Sequence, residues 1–213
     1  PQVQENPNVE SYTLTIETET GTAVRTIRGT GPIEGPFVWD GFTDDGERAA
    51  DDRYRAHLAV SYRDGDLIEA TTSAIRLDTR YPRAELAAEY TLFSPNDDGN
   101  KDTVAIRQTS SSEGLWEARI VNSDGEAVRT WFWKEALPEV EWSGRDDSGN
   151  MVPDGTYRYE VTATDDAGNT TTETLPGLEV DTRRTAVFVT SDVTGFSPNG
   201  DGTNDRLLVH GRE

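Results

Sequence analysis

Trp116-Glu117-Ala118-Arg119-Ile120-Val121-Asn122-Ser123-Asp124-Gly125-Glu126-Ala127-Val128-Arg129-Thr130 decides the fold class of this chain. Trp116, Ala118 and Ile120 alternate with Glu117 and Arg119, the period of two that buries one face of a strand and wets the other. Ser123-Asp124-Gly125-Glu126 interrupts the pattern as a hairpin turn, where glycine takes a positive φ without a Cβ clash. The chain returns as a second strand from Ala127 to Trp133. Further on, Val140 and Trp142 mark a strand that stops at Gly144-Arg145-Asp146-Asp147-Ser148-Gly149. After the turn Pro153-Asp154-Gly155, alternation resumes at Tyr157, Tyr159, Val161 and Ala163. Asp165-Asp166-Ala167-Gly168-Asn169 then leads into a Thr-rich strand ending near Val180.

The same frame occurs earlier in the chain. Tyr12, Leu14 and Ile16, then Tyr54, Ala56, Leu58 and Val60, repeat the alternation with different residues. Ala23-Val24-Arg25-Thr26 falls on Ala127-Val128-Arg129-Thr130 at an offset of 104, and Trp39 falls on Trp142 at 103. A single-residue indel accounts for the difference. Asp78-Thr79-Arg80 matches Asp181-Thr182-Arg183, and the loop Phe93-Ser94-Pro95-Asn96-Asp97-Asp98-Gly99-Asn100-Lys101-Asp102 returns as Phe196-Ser197-Pro198-Asn199-Gly200-Asp201-Gly202-Thr203-Asn204-Asp205. A period of this length is one small domain per repeat. Neither copy has helical periodicity, and turn signals recur about every 8–12 residues, so the expected fold is all-β: tandem immunoglobulin-like antiparallel β-sandwiches. If each unit opens with its loop, the division is 1–88, 89–187 and an opening segment 188–213, which could pack on the preceding domain. If the loop instead closes the preceding unit, the boundary falls near Ser111. The first phase is the expected one. The chain starts at Pro1 without a Met and ends just after the loop of a third repeat, so a slice of a longer tandem protein is expected.

Composition narrows the function classes. A net charge of −20 disfavours phosphate backbones and anionic headgroups, which need basic surface. No nucleic-acid partner and no direct membrane insertion are therefore expected. The absence of cysteine excludes thiol chemistry and thiolate metal sites. His57 and His210 are not repeat-equivalent and lie in no catalytic or metal-ligating spacing, so no enzyme is expected. The many Asp residues sit beside Gly in turns, where local hydrogen bonding calls for them.

Two constellations are candidate sites. Calcium takes oxygen ligands at alternate positions of a sharply turning loop. On that frame Asn96, Asp98, Asn100 (through its carbonyl) and Asp102 are candidate ligands, as are Asn199, Asp201, Thr203 and Asp205. Ser94 and Ala105, with Ser197 and Leu208, leave the two ends of the frame unfilled. The competing reading is that Asp98 and Asp102 cap backbone N–H groups of the turn without an ion. The second constellation is Trp131 and Trp133, on one side of a strand with Arg129, where the first copy has Ile27 and Gly29. Two flat indoles stack a sugar or anchor a protein partner, and such a face needs both at least half exposed. The alternative is that they cover a sheet edge or the joint between domains.

These residues resemble two linked bacterial families. Phe196-Ser197-Pro198-Asn199-Gly200-Asp201-Gly202, with Asn204-Asp205, resembles the opening of gliding-motility C-terminal domains of type 9 secretion substrates. Ile120 to Thr130, Trp142-Ser143-Gly144 and Pro153-Asp154-Gly155-Thr156-Tyr157 are similar to the immunoglobulin-like domain of flagellar hook-capping proteins. In the first copy Ala50-Asp51-Asp52 stands in place of Pro153-Asp154-Gly155. The resemblance implies an exported, non-catalytic β-sandwich repeat, extracellular, at the cell surface or periplasmic. The expected role is a structural or interaction segment of a stalk or adhesin, stiffened by calcium, whose partners are neighbouring repeats and a surface glycan or protein. A carbohydrate- or protein-binding module on the indole face, and a sorting or cap-like assembly module, are the alternatives.

Overall fold

The computed structural model describes residues 8–184 and 188–212, and among them there is no helix. Residues 1–7 of the expected first unit 1–88, and Glu213 of the expected opening segment 188–213, lie outside the described residues. The first unit is one sheet built from β1 (Val9–Thr18), β2 (Ala23–Thr30), β3 (Asp52–Tyr62), β4 (Leu67–Thr71) and β5 (Ile75–Leu77). Its order is β2-β1-β3-β4, with β5 also pairing β3. Leu14, Ile16, Ala49 and Tyr54 form its buried cluster, with Phe37 and Trp39 of the connection between β2 and β3 packed against it.

The second unit is a complete two-layer sandwich. β6 (Ala84–Ala88), β8 (Val104–Ser110) and β11 (Val140–Trp142) form one layer. The other runs β10-β9-β12-β13-β7, from β7 (Leu92–Phe93), β9 (Glu113–Val121), β10 (Ala127–Glu135), β12 (Gly155–Thr164) and β13 (Thr170–Val180). The alternation read from sequence sets the core: Trp116, Ala118 and Ile120 from β9 and Tyr159 and Val161 from β12 are fully buried against Val104 and Ile106 of β8. Removing each large side chain from water contributes about 1.5–3 kcal/mol. The pairing is antiparallel except at one edge, where β7 joins β13 in parallel. Pro176-Gly177 lies just before that join. The register of β12 on β13 slips between Tyr157 and Tyr159, and Gly177 takes φ +77°, a bulge that bends β13.

β6 pairs with β8 throughout its length, so the division drawn at 88/89 separates β6 from the sheet to which it is hydrogen-bonded. The charge alternation of Glu85 between apolar neighbours is weak over five residues, which hid this strand in the sequence. Beyond the second unit, β14 (Phe188–Ser191) and β15 (Val209–Arg212) form a two-stranded hairpin.

Candidate interaction surface and inter-unit joint

The two units share a set of side-chain locks at equivalent positions. Tyr54 donates its hydroxyl to the Ala50 carbonyl at 2.7 Å, and Tyr157 does the same to Pro153. Trp39 and Trp142 each donate the indole N–H three residues onward, to Phe42 at 2.9 Å and Arg145 at 3.0 Å. Arg25 donates to the Thr43 carbonyl and Arg129 to the Asp146 carbonyl, while Asp44 and Asp147 accept from the Thr26 and Thr130 amides. These bonds tie the long loops onto β2 and β10. The guanidinium of Arg129 therefore has a structural role that its counterpart Arg25 repeats.

Trp131 and Trp133 stack on each other, with centroids 6.1 Å apart and planes 12° from parallel, and Arg129 sits over the Trp131 ring. Both indoles are only partly exposed and pack against the second core, Trp131 meeting Tyr159 edge-on. The half exposure expected of a binding face is not reached. The first unit explains why. Trp133 is the cross-strand neighbour of Trp116, and the equivalent pair is Gly29 beside Tyr12. A Cβ on Gly29 would lie 2.2 Å from the Tyr12 ring, so there the tyrosine fills the space that Trp133 fills in the second unit. Burial raises the Tyr159 hydroxyl above its ordinary value, against a bond to Gln108 that lowers it.

The loop between β7 and β8 is built by side-chain acceptors. Asp102 takes the Asn96 and Asp97 amides on Oδ1 and the Gly99 amide on Oδ2. Asn96 Oδ1 accepts from Asp98 N, and Asp98 Oδ1 accepts from Asn100 N. Asp97, Gly99 and Lys101 all have positive φ, and the strained Lys101 lies over the Tyr90 ring at 4.8 Å. The second occurrence of the loop repeats the design: Asp205 accepts from Gly200 and Gly202, Asn199 from Asp201, and Asp201 from Thr203. The candidate ligands are thus brought together, but as acceptors of amide donors. Among the described residues no three His, Cys, Asp or Glu side chains are grouped to hold a metal ion.

The joint at Asp78-Thr79-Arg80-Tyr81-Pro82 reads in the sequence as a linker without a Gly or Ser run, but the bonds that hold it do not. Asp51 accepts from the Thr79 amide at 2.9 Å and hydroxyl at 3.0 Å, and from Arg80 Nε at 3.1 Å. Asp154 holds Thr182 through the same two bonds, which explains why Asp-Thr-Arg recurs at the end of each unit. Desolvation opposes ionisation of Asp51, but the Thr79 bonds and the Arg80 charge outweigh it and its pKa is lowered. Asp181 is held down to about 2 by the Arg183 side chain and amide. With the linker pinned, Asn169 of the β12–β13 turn reaches across 91 positions to donate to the Asp78 carbonyl at 3.1 Å, and to Arg80 O at 3.3 Å. Asp165 orients that amide at 2.8 Å. Beside this bridge is a polar cleft of about 690 Å³, lined by Arg76, Arg80 and Tyr81 from the first side and Glu113 and Asp166 from the second. The sequence signal available was that Asp51 and Asp154 share the repeat offset.

The FlgD Ig-like domain model matches residues 2–65 and 91–167. No curated protein matches the chain. Among solved structures, a tetra-tandem repeat from the extending region of a large adhesion protein aligns at 16% identity and TM-score 0.40, covering 91% of this chain and 47% of that one. The BSP domain of a biofilm-associated protein aligns at 12% identity and TM-score 0.25, covering 78% and 24%. The chain therefore spans less than half the length of either structure. Its two aligned copies of the motif place it in the family, and the chain belongs to the FlgD Ig-like domains.

Proposed function

We propose that this chain is a non-catalytic structural and interaction segment of a larger exported or cell-surface protein, its units acting as a spacer of defined geometry. The observation that carries the reading is the joint, where Asn169 donates to two carbonyls of a linker that Asp51 already holds. A linker without a Gly or Ser run, pinned at both ends, does not behave as a random coil. The surface supports exposure to solvent on all sides: the chain carries a charge of −20, and none of the described residues is a buried polar or charged one. No helix among the described residues is long and apolar enough to cross a membrane. In this reading the recurring acidic loop is a capped turn, and the indole pair covers the sheet.

Small-angle scattering of the chain tests the spacer role. The expected profile fits one elongated particle with a single angle between the units. A profile that requires a broad set of angles would contradict it.

A further inference from the structure

Tyr81 is the one exposed tyrosine or tryptophan among the described residues, at 63%. The joint itself does not require it. The lock of Asp51 on Thr79 recurs as that of Asp154 on Thr182, yet Arg184 stands where the repeat offset would put a second tyrosine. The backbone that carries the ring is nevertheless held on both sides. Thr79 is fixed to Asp51, while Arg83 N donates to Ser111 Oγ at 2.9 Å and Ser111 N donates to Arg83 O at 2.9 Å. Pro82, between these anchors, is buried, and a proline confines the residue before it to extended backbone. A side chain on so short a pinned segment loses little freedom when a ligand covers it.

The tyrosine lines the cleft beside the Asn169 bridge, whose volume of about 690 Å³ lies within the ~300–1,000 Å³ of small-molecule sites. Its lining carries three arginines against four carboxylates, near balance in a chain of net charge −20. Such a lining selects neither an anion nor a cation. Some of the groups are engaged: Asp165 accepts the Ala167 and Asn169 amides and the Asn169 side chain, and Arg80 gives its Nε to Asp51. Others are open. Among the described residues the Arg83 guanidinium, the Nη groups of Arg80 and the Asp166 carboxylate have no hydrogen-bond or ion-pair partner.

We propose that the joint cleft binds a neutral saccharide. The apolar C–H face of a sugar ring stacks on Tyr81, whose ring presents flat apolar surface to solvent. A sugar hydroxyl both donates and accepts, so one accepts from the Arg83 or Arg80 guanidinium while its neighbour donates to Asp166. An acidic sugar would meet Asp166 and Glu113 with like charge. An aliphatic ligand would leave the open guanidinium and carboxylate desolvated and unpaired. The linker and the second unit both contribute, so the cleft keeps its shape only while the joint holds its angle; in that respect the site rests on the spacer reading. Trp131 and Trp133, stacked on each other against the second core, offer no comparable open ring face.

A glycan array of neutral, uronate-bearing and sialylated oligosaccharides, probed with the full chain and followed by calorimetric titration of the sugars retained, tests this. Neutral glycans are expected to be retained. Tyr81→Phe keeps the stacking ring and is expected to keep the affinity, whereas Tyr81→Ala and Arg83→Gln should each weaken it by about tenfold or more, at unchanged melting temperature. Retention of no glycan, retention of acidic glycans alone, or an affinity that survives Tyr81→Ala would overturn the proposal. Scattering on the same sample separates the two readings: a single angle between the units with no sugar bound defeats the saccharide site alone, and a broad set of angles defeats both.

Discussion

Tyr12 and Gly29 show how one residue can stand in for another across a repeat. The tyrosine ring occupies the volume above Gly29 and meets Phe37 edge-on at 5.5 Å. Gly29→Ala is expected to destabilise the first unit by about 1–3 kcal/mol through overpacking. Shortening Tyr12 to Ala in the same chain should remove most of that penalty, and a double-mutant cycle from urea denaturation measures the coupling. A second prediction at this scale concerns acid. Asp181 is held at about 2 by Arg183, Asp165 is lowered first by the Asn169 side chain, and Asp146 first by the Asn150 amide. Each carboxyl binds its proton more weakly folded than unfolded, so its contribution is complete above the ordinary value of 3.8 and is lost as pH falls towards about 2. Melting temperature should be level above about pH 5 and fall steeply below about pH 4. Asp165→Asn keeps the cap geometry that Asn122 provides in its own turn, and should flatten part of that fall.

At the scale of elements, the strands were legible because alternation at Trp116, Ala118 and Ile120, and at Tyr157, Tyr159, Val161 and Ala163, is enforced by burial on one face only. The turns were legible because Asp or Asn beside Gly has a local reason to be there, and Asn122, Asp146 and Asp165 each accept amides two and four residues on. The loop after β7 could be located but its chemistry could not be decided from sequence, since oxygen at alternate positions serves an ion or an amide equally well. Asp102 takes three amides on two oxygens. Thermal melts in calcium and in EDTA distinguish the two. The capped turn predicts superimposable curves, whereas a site with Kd of about 10⁻⁴ M would raise the melting temperature by about 5 °C at about 1 mM ion. Asp51 was missed because its partners Thr79 and Arg80 lie 28 and 29 positions away, a distance that no local pattern spans. Asp51→Ala should raise hydrogen exchange at the Thr79 amide by about tenfold or more while leaving the cores protected.

For the whole molecule, the account depends on whether the two units hold one geometry. The side-chain bonds that bridge the joint are few, and inter-unit contacts of such size permit motion by default. What argues for order is the chain of orientation: Asp165 fixes the Asn169 amide, Asn169 grips the linker carbonyls, and Asp51 holds the linker's other side. The chain contains no cysteine, so two can be introduced for spin labels without interference. Labels at Asp64→Cys, in the β3–β4 turn, and Asp124→Cys, in the β9–β10 turn, report one distance across the joint by pulsed electron resonance. The account predicts a single narrow distribution that broadens when Asn169→Ala is added. A broad distribution in the chain that retains Asn169 would contradict it.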